Sequence, residues 1–502
     1  MTAPDHDLRR KTVHGLFWQF LGVGGQRIVA MIPLTVIARA IDKDDVGLFA
    51  IVLTGIAVIE SLTLFMGEQS TISSARGTDR RYLDTVFTVR VLRSIAITGL
   101  LCALAPAFAW FFGTPQYREH YWLTGLFLVL AGNGLIDGLQ SPARAARLKG
   151  MEFRRIVFCD FLAAVFGMLC TVAFALLWGN VWALLAGHMC GTAMRTLFSY
   201  VAAPHRPRIA FDRDALRELL HYSKGAAGAP FLLVMVFASP ALVLGRFLYD
   251  AQGQRDPGGL AEFDYASRLA RLPEDIFLRV LAPVAIPAYA HLRHDTPRLS
   301  RAWLGAVRTF LLVGVPMSVT LAWCGSALPG VVFGDRYGEI TSLFAVQSLH
   351  GGLAGLTSVV GPLFWAVGIP GKDRTAQLFR GITIYAVGIP ATLYFGVIGF
   401  AWSMVAGILV ALTLSLAAAL RYLAVSPRQL LATMRDGTLL GGALGITLLL
   451  LDLVLPTTGL LRVLVAAALS GPVLGMVTLR LLRQRRGAPG VAPRPAAVDP
   501  SP

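Results

Sequence analysis

The chain has 502 residues, of which 55% are hydrophobic and only 15% charged, with a mean hydropathy of +0.63. That balance excludes a soluble globule and marks an all-α polytopic membrane protein. The formal net charge of +16 would by itself suit a nucleic-acid binder, but its placement along the chain excludes that partner.

At the start of the chain, Arg9, Arg10 and Lys11 precede an apolar segment that runs on to about Ile41 without a small-residue cleavage site. It is too long for a signal peptide and is expected to stay as the first span. With about 20 residues per spanning helix as the ruler, the chain divides into fourteen candidates: 14–40, 46–68, 85–112, 120–142, 153–178, 181–203, 222–249, 262–290, 302–328, 340–368, 375–395, 399–423, 438–455 and 458–481. The five cysteines, Cys102, Cys159, Cys170, Cys190 and Cys324, stand in apolar runs with no C-x-x-C pair. They read as small buried hydrophobes rather than redox or metal groups.

Sorting Lys and Arg into alternate connections tests the count, because short cytoplasmic loops are enriched in them. One set, from Arg9 to the tail beyond Arg480 and including Lys372, Arg374 and Arg380, holds thirty; the opposite set holds only Lys43, Arg118, Arg255 and Arg336. The asymmetry puts both termini in the cytoplasm and assigns the positive charge to a membrane surface. The longest cytoplasmic connection then separates a lobe of six helices, residues 1–203, from a second lobe at 222–423, with a linker at 204–221. Two further helices occupy 438–482, and the tail 483–502, rich in Arg, Pro, Ala and Gly, is expected to be disordered.

The lobes share an internal echo. Arg39 and Asp42 lead into a Gly-Leu helix start near Val46, and Arg246 and Asp250 lead, after an insert, into another near Leu260. With both odd helices starting on the same side, this is the pattern of a parallel repeat.

The stretch 261–294 is apolar enough to span, yet carries Asp264, Arg268, Arg271, Asp275 and Arg279 at steps of four, three, four and four. On one continuous helix these five share a face. A charge at mid-bilayer costs about 2.5 to 3.5 kcal/mol on insertion scales, so that face must meet protein or a water-filled cavity.

The run GLFWQFLGVGGQRIVAMIPLTVIARAIDKDDVGLFAIV resembles the opening of Wzx-type polysaccharide flippases of the multidrug/oligosaccharidyl-lipid/polysaccharide exporter superfamily. So do FDYASRLARLPEDIFLRVLAPVAIPAYAHLRHDTPRLSRAW, VVFGDRYGEI and GKDRTAQLFRGITIYAVGIPATLYFGVIGFAWS, and the likeness spreads over about residues 14–420. The resemblance implies two six-helix lobes forming a V around a central cavity, with two extra C-terminal helices. It implies a secondary transporter rather than an enzyme, one that moves an undecaprenyl-diphosphate-linked oligosaccharide between leaflets of the bacterial inner membrane by alternating access. The expected partners are that lipid-linked cargo, membrane lipids and other polysaccharide assembly proteins; the chain is expected to act as a monomer, with no cofactor.

Such cargo needs cationic groups for its diphosphate, and arginine suits phosphate through its planar fork and permanent charge. The candidates are Arg27 with Gln26, Arg39, Arg246, Arg268, Arg271 and Arg279, with Arg90 and Arg93 also inside the third span. Arg27 has no acidic neighbour in sequence, which favours the cavity. Arg39 and Arg246, near span ends, suit snorkelling as well as a ligand role, and Arg268, Arg271, Glu274 and Asp275 suit a closed ion-pair network as well as a cavity wall. For coupling to H+ or Na+ the carboxylates Glu60, Asp137 and Asp275 are candidates, each equally suited to partner a neighbouring arginine. Asp160 and Asp452 are further acids in the spans. His188 reads as a packing residue, and Pro230 with Pro240 as a hinge pair.

Two rivals are weaker. A drug or cation antiporter of the same superfamily would favour an acidic cavity over an arginine-rich one. A polysaccharide polymerase or ligase would need a large outer loop or a soluble catalytic domain, and the chain shows neither.

Overall fold

The computed structural model describes residues 29, 31–62, 67–74, 76–112, 122–150, 152–226, 229–250, 252–278, 282–337, 340–454 and 459–487. Among them there is no β-strand, only a single bridge between Tyr249 and Arg255. The helices of the first half are α1 (Met31–Ala40), α2 (Lys43–Leu62), α3 (Gly67–Ser73), α4 (Arg80–Phe112), α5 (Trp122–Gly138), α6 (Ala143–Lys149), α7 (Phe153–Trp178) and α8 (Val181–Ala202). A linker helix α9 (Arg213–Ala226) leads to α10 (Ala229–Phe247). After it come α11 (Pro257–Ala270), α12 (Leu272–Ile276), α13 (Ala282–His291), α14 (Thr296–Trp323), α15 (Leu328–Phe333), α16 (Thr341–Ala366), α17 (Gly371–Leu423), α18 (Pro427–Val454) and α19 (Gly459–Gly487).

Six of these are long and apolar enough to cross a bilayer, and the pair α5–α6, bent by 54°, makes a seventh when taken together. The protein is therefore a multi-pass membrane protein. At 1.5 Å per residue the 53 residues of α17 would reach about 80 Å, far more than the roughly 30 Å of hydrocarbon, so α17 is two spans. The chain reverses at Gly396, whose φ of 61° and ψ of −144° suit glycine alone. Close packing of the two arms confirms the reversal: a Cβ on Gly399 would lie 2.1 Å from the Ala391 carbonyl oxygen. The α7–α8 hairpin is built similarly, with Gly179 at φ 61° closing α7 and Asn180 capping α8 by accepting from the Trp182 and Ala183 N–H groups.

The span expected at 262–290 is broken. Pro273 has no N–H and its ring crowds the preceding turn, so α11 stops at Ala270, Arg271 (φ −79°, ψ 0°) sits between two helices, and α12 restarts with the proline in its first turn. The expectation that all five charges of this stretch share one continuous face is thereby overturned. Asp264 and Arg268 keep the helical relation, while Arg271 lies at the break; Arg279 lies outside the described residues. Pro230 likewise occupies the start of α10, where a missing N–H costs nothing, and only Pro240 is interior.

The helices form two packed groups that meet at one end. At the arginine-poor end a single core joins both, with Ile37, Ile41, Val46 and Ile51 of the first half packed among Leu244, Leu260, Phe263, Tyr265 and Phe344 of the second. At the arginine-rich end the cores are separate: Trp303, Phe310, Leu363 and Leu423 in one group, Tyr82, Val86, Ala215 and Leu219 in the other. The shared seam runs between α2 and α11, the two segments that the sequence pairs as repeats. A Cβ on Gly47 would lie 1.9 Å from the Pro257 carbonyl oxygen, and Lys43 Nζ bonds Glu262 Oε1 at 2.5 Å across the seam. The result is a V, closed at the arginine-poor end and divided at the other.

Candidate functional site

Inside the V lies a cavity of about 570 Å³, walled by α1, α2, α7, α8 and α11. Most of its lining is apolar, including Pro33, Leu34, Phe49, Leu53 and Leu184, and the polar groups gather on two sides. From the first half come Asp160, His188 and Arg195; from the second come Asp264 and Arg268. Small residues shape the wall: a Cβ on Gly167 would meet Gly191 at 2.9 Å, so α7 and α8 approach closely enough to carry these groups on one surface.

The electrostatics of the lining are uneven. Arg268 is held by Asp264, Nε to Oδ2 at 2.7 Å. Asp160 is held by Arg144 at 2.8 Å from behind the wall. His188 packs edge-on to Phe49, with ring centroids 6.0 Å apart, and faces Asn133 at 3.4 Å. Arg195 is exposed and, among the described residues, makes no ion pair or hydrogen bond. It is thus the cavity's available cation. Sequence reasoning passed over Arg195, although it stands seven residues after His188, two helical turns along the same face of one span.

Glu60 and Asp137 come together elsewhere. A second pocket of about 280 Å³ at the arginine-rich end is lined by Glu68, Arg90, Arg93, Asp137, Gln140 and Arg144 among others. Arg90 pairs with Asp137 at 3.0 Å, Gln140 bonds the same carboxylate at 2.5 Å, and Arg93 donates to the Glu60 carbonyl oxygen at 3.1 Å. Arg144 links this pocket to the central cavity, reaching Glu68 at 3.7 Å as well as Asp160.

Arg39 and Arg246 lie at the other end. Arg39 donates to the Val331 carbonyl oxygen at 3.1 Å and, with Arg336, lines an open hollow of about 500 Å³. Arg246 stacks on Phe111 at 5.3 Å and Phe247 at 5.8 Å. Arg271 and Asp275 belong to neither cavity: Arg271 stacks over Phe237 at 5.7 Å and faces Glu274, Nε to Oε2 at 3.9 Å, inside the second group of helices. Arg27 and Gln26 lie outside the described residues.

At the arginine-rich end the linker is strapped to the start of α4. His205 and the Arg208 N–H both meet Asp84 Oδ1, at 2.9 and 3.2 Å. The Ala210 and Asp212 N–H groups donate to Thr88 and Thr85, each at 3.1 Å. Arg76 then clasps Asp212 at 2.6 Å, a bond that lowers the aspartate's pKa and raises that of the guanidinium.

Comparison with known proteins adds to this geometry. Residues 36–342 match the family described as polysaccharide biosynthesis protein. The chain is 22% identical over 383 residues to the succinoglycan biosynthesis transport protein ExoT of Rhizobium meliloti (strain 1021), covering 76% of this chain and 73% of that one. It is 23% identical over 386 residues to the lipopolysaccharide biosynthesis protein WzxC of Escherichia coli (strain K12), covering 76% of each. Among solved structures, the lipid II flippase MurJ in an inward closed conformation matches 93% of this chain and 99% of its own with a TM-score of 0.73, at 13% identity, which shows a shared fold. With the family match spanning more than half of its length, the chain belongs to the polysaccharide biosynthesis protein family.

Proposed function

We propose that the protein is a flippase that carries an undecaprenyl-diphosphate-linked oligosaccharide from the inner to the outer leaflet of the bacterial inner membrane, with both termini in the cytoplasm. The observation that carries this reading is the central cavity, sealed at the arginine-poor end and furnished with Arg195 and Arg268 from opposite halves of the V. A guanidinium remains charged when desolvated and binds phosphate bidentately, so one such group from each side forms a clamp that a swing of the halves would close or release. Arg268 reaches the phosphate by exchanging Asp264 for it, and the apolar wall leaves the rest of the cavity for the faces of sugar rings.

Alternating access then needs the α2–α11 seam to part while the arginine-rich end closes. An H+ or Na+ gradient supplies the bias, and Glu60 and Asp137, grouped beside the pocket behind the cavity, are the first-half carboxylates that would respond to it. The protein works as a monomer beside other polysaccharide assembly proteins.

The test is export in a strain whose surface polysaccharide depends on this protein. Arg195→Ala with Arg268→Ala should abolish export and let lipid-linked intermediates accumulate, while immunoblots show normal membrane insertion. Normal export by the inserted double variant rejects the clamp.

A further inference from the structure

Outside the cavity, the linker between the halves combines exposed apolar side chains with unbalanced charge. Ile209 is 86% exposed and Phe211 60%. Around them stand four exposed arginines, Arg206, Arg208, Arg213 and Arg217, against one exposed acid, Asp214. The other carboxylates nearby are engaged or covered: Arg76 clasps Asp212, Asp84 is shut in beside His205, and Glu218 is half-buried. Large apolar side chains rimmed by arginine are the composition of a segment that lies on a lipid surface.

The strap's bonds to α4 set its level against the bilayer. The Arg208 N–H meets Asp84, the Ala210 N–H meets Thr88 one helical turn further along α4, and the Asp212 N–H turns back to Thr85. Ala210 is therefore the point at which the strap comes nearest the membrane, and Ile209 and Phe211 stand on either side of it. Thr88 lies 22 residues before Trp110, an exposed tryptophan of the kind found at membrane interfaces, near the arginine-poor end of α4. At 1.5 Å per residue that separation is about 33 Å, close to the roughly 30 Å thickness of the hydrocarbon. With Trp110 at one interface, the strap's tip is at the other.

Its direction follows from the helical period. Leu92, Ile95, Ala103, Pro106 and Trp110 fall within about 60° of Thr88 around the α4 axis, and all five are exposed. The stripe stays exposed up to the end where the V is closed, so it faces lipid and not the cavity. Arg90 and Arg93, which line the pocket at the arginine-rich end, are on the opposite side of the helix. Asp84 and Thr85 share the face of Thr88, so the strap covers the foot of a lipid-facing stripe, and Ile209 and Phe211 continue that apolar surface.

We propose that residues 206–213, with Arg217 of α9, form an interfacial anchor for anionic phospholipid in the leaflet at the arginine-rich end. Ile209 and Phe211 enter the boundary of the hydrocarbon, and the four arginines take the headgroup phosphates. Tyr82 and Val86 of α4 pack on Ala215 and Leu219 of α9, so strap, α4 and linker helix are held to the leaflet as one unit. The anchor depends on α4 crossing the bilayer and is independent of the cargo.

The experiment uses the full chain in phosphatidylglycerol nanodiscs and in phosphatidylcholine nanodiscs. Nitroxides are placed at 209, 211 and, as a control in water, 214, each through a genetically encoded keto side chain so that the native cysteines stay in place. The labels at 209 and 211 should relax more with oxygen, which concentrates in hydrocarbon, than with a water-soluble nickel chelate, and the label at 214 the reverse. Nickel acting on 209 and 211 as strongly as on 214 overturns the anchor; so does shielding from both reagents, which would mean that the pair packs on protein. Hydrogen exchange tests the charge. Amides 208–212 should exchange at least about fivefold more slowly in phosphatidylglycerol, the worth of one arginine at an anionic surface. Replacing the four arginines together (R206Q, R208Q, R213Q and R217Q) should abolish that difference while the amides of α9 stay protected. Equal exchange of the wild type in both lipids, or a difference that survives in the variant, overturns the anionic contact.

Discussion

Both halves of the molecule set arginine against carboxylate within the membrane, on opposite terms. In the first half Arg90 and Asp137 border a pocket and remain 26% and 46% exposed. In the second half Arg380 and His350 are closed off from solvent, and several of their polar partners lack bonds. A half-exposed pair is worth at most about 1 kcal/mol and is rearranged easily by water. A sealed set cannot change its charge without moving a side chain, which is the property a coupled conformational step requires. The comparison separates a pair that water can rearrange from a set that water does not reach.

The largest effect that tests this contrast is on stability. Arg380→Met removes a buried cation and leaves Glu274 with less positive charge around it; the cost expected for breaking a buried pair is about 3 to 5 kcal/mol. Thermal unfolding in detergent should show a large fall, partly restored by adding Glu274→Gln, since the two changes share one network. A single variant as stable as the wild type would mean that the set is hydrated after all.

A smaller effect is expected at the seam. Gly47→Val forces a side chain into the Pro257 backbone, and overpacking of this kind costs about 1 to 3 kcal/mol. The strain is relieved by parting α2 from α11, so spin labels at the arginine-poor ends of the two halves should move apart. An unchanged distance distribution would show that the close approach at Gly47 does not hold the closure. Smaller again is Asp137→Asn, which loosens Arg90 and Gln140 but leaves both near water; its effect on unfolding should stay under about 1 kcal/mol.

Much of this architecture is legible in the sequence, for a physical reason. Hydropathy and the Lys/Arg asymmetry report transfer of each segment into lipid, a local quantity, and the helix expected at 153–178 coincides with α7. Family membership was legible too, from the motifs along 14–420. The site was less so, because facing direction depends on breaks. Period alone put Asp264, Arg268, Arg271 and Asp275 on one stripe, yet the helix breaks at Arg271, ahead of Pro273, and Arg268 lines the cavity while Arg271 faces Phe237 and Glu274. Arg380 was misplaced because proximity to a loop in sequence says nothing about burial. Arg195 and His350 need a partner helix to acquire meaning, and that information is in the packing of α7 on α8 and of α16 on α17.

The smallest expected effect is at the strap between the halves, and it depends on pH. Asp212 is bonded by Arg76 and by the Asp214 and Ala215 N–H groups, all of which favour the carboxylate and lower its pKa below the usual aspartate value. A lowered folded value means that the strap's extra stability is fully present above about pH 4, the unstrained range, and fades as pH falls through the lower value where the folded carboxylate finally takes a proton. Arg76, with its pKa raised, remains a cation throughout. Hydrogen exchange of the amides at 204–212 should therefore be steady from neutral pH down to about 4 after correction for intrinsic rates, then quicken. Asp212→Asn should show the quickened exchange at every pH, whereas Asp79→Asn, whose carboxylate is 3.6 Å from the same guanidinium, should leave the linker protected. If the Asp79 variant frees the linker as fully as the Asp212 variant, the strap is held by the general charge of the surface, and the bond to Arg76 is not what fastens it.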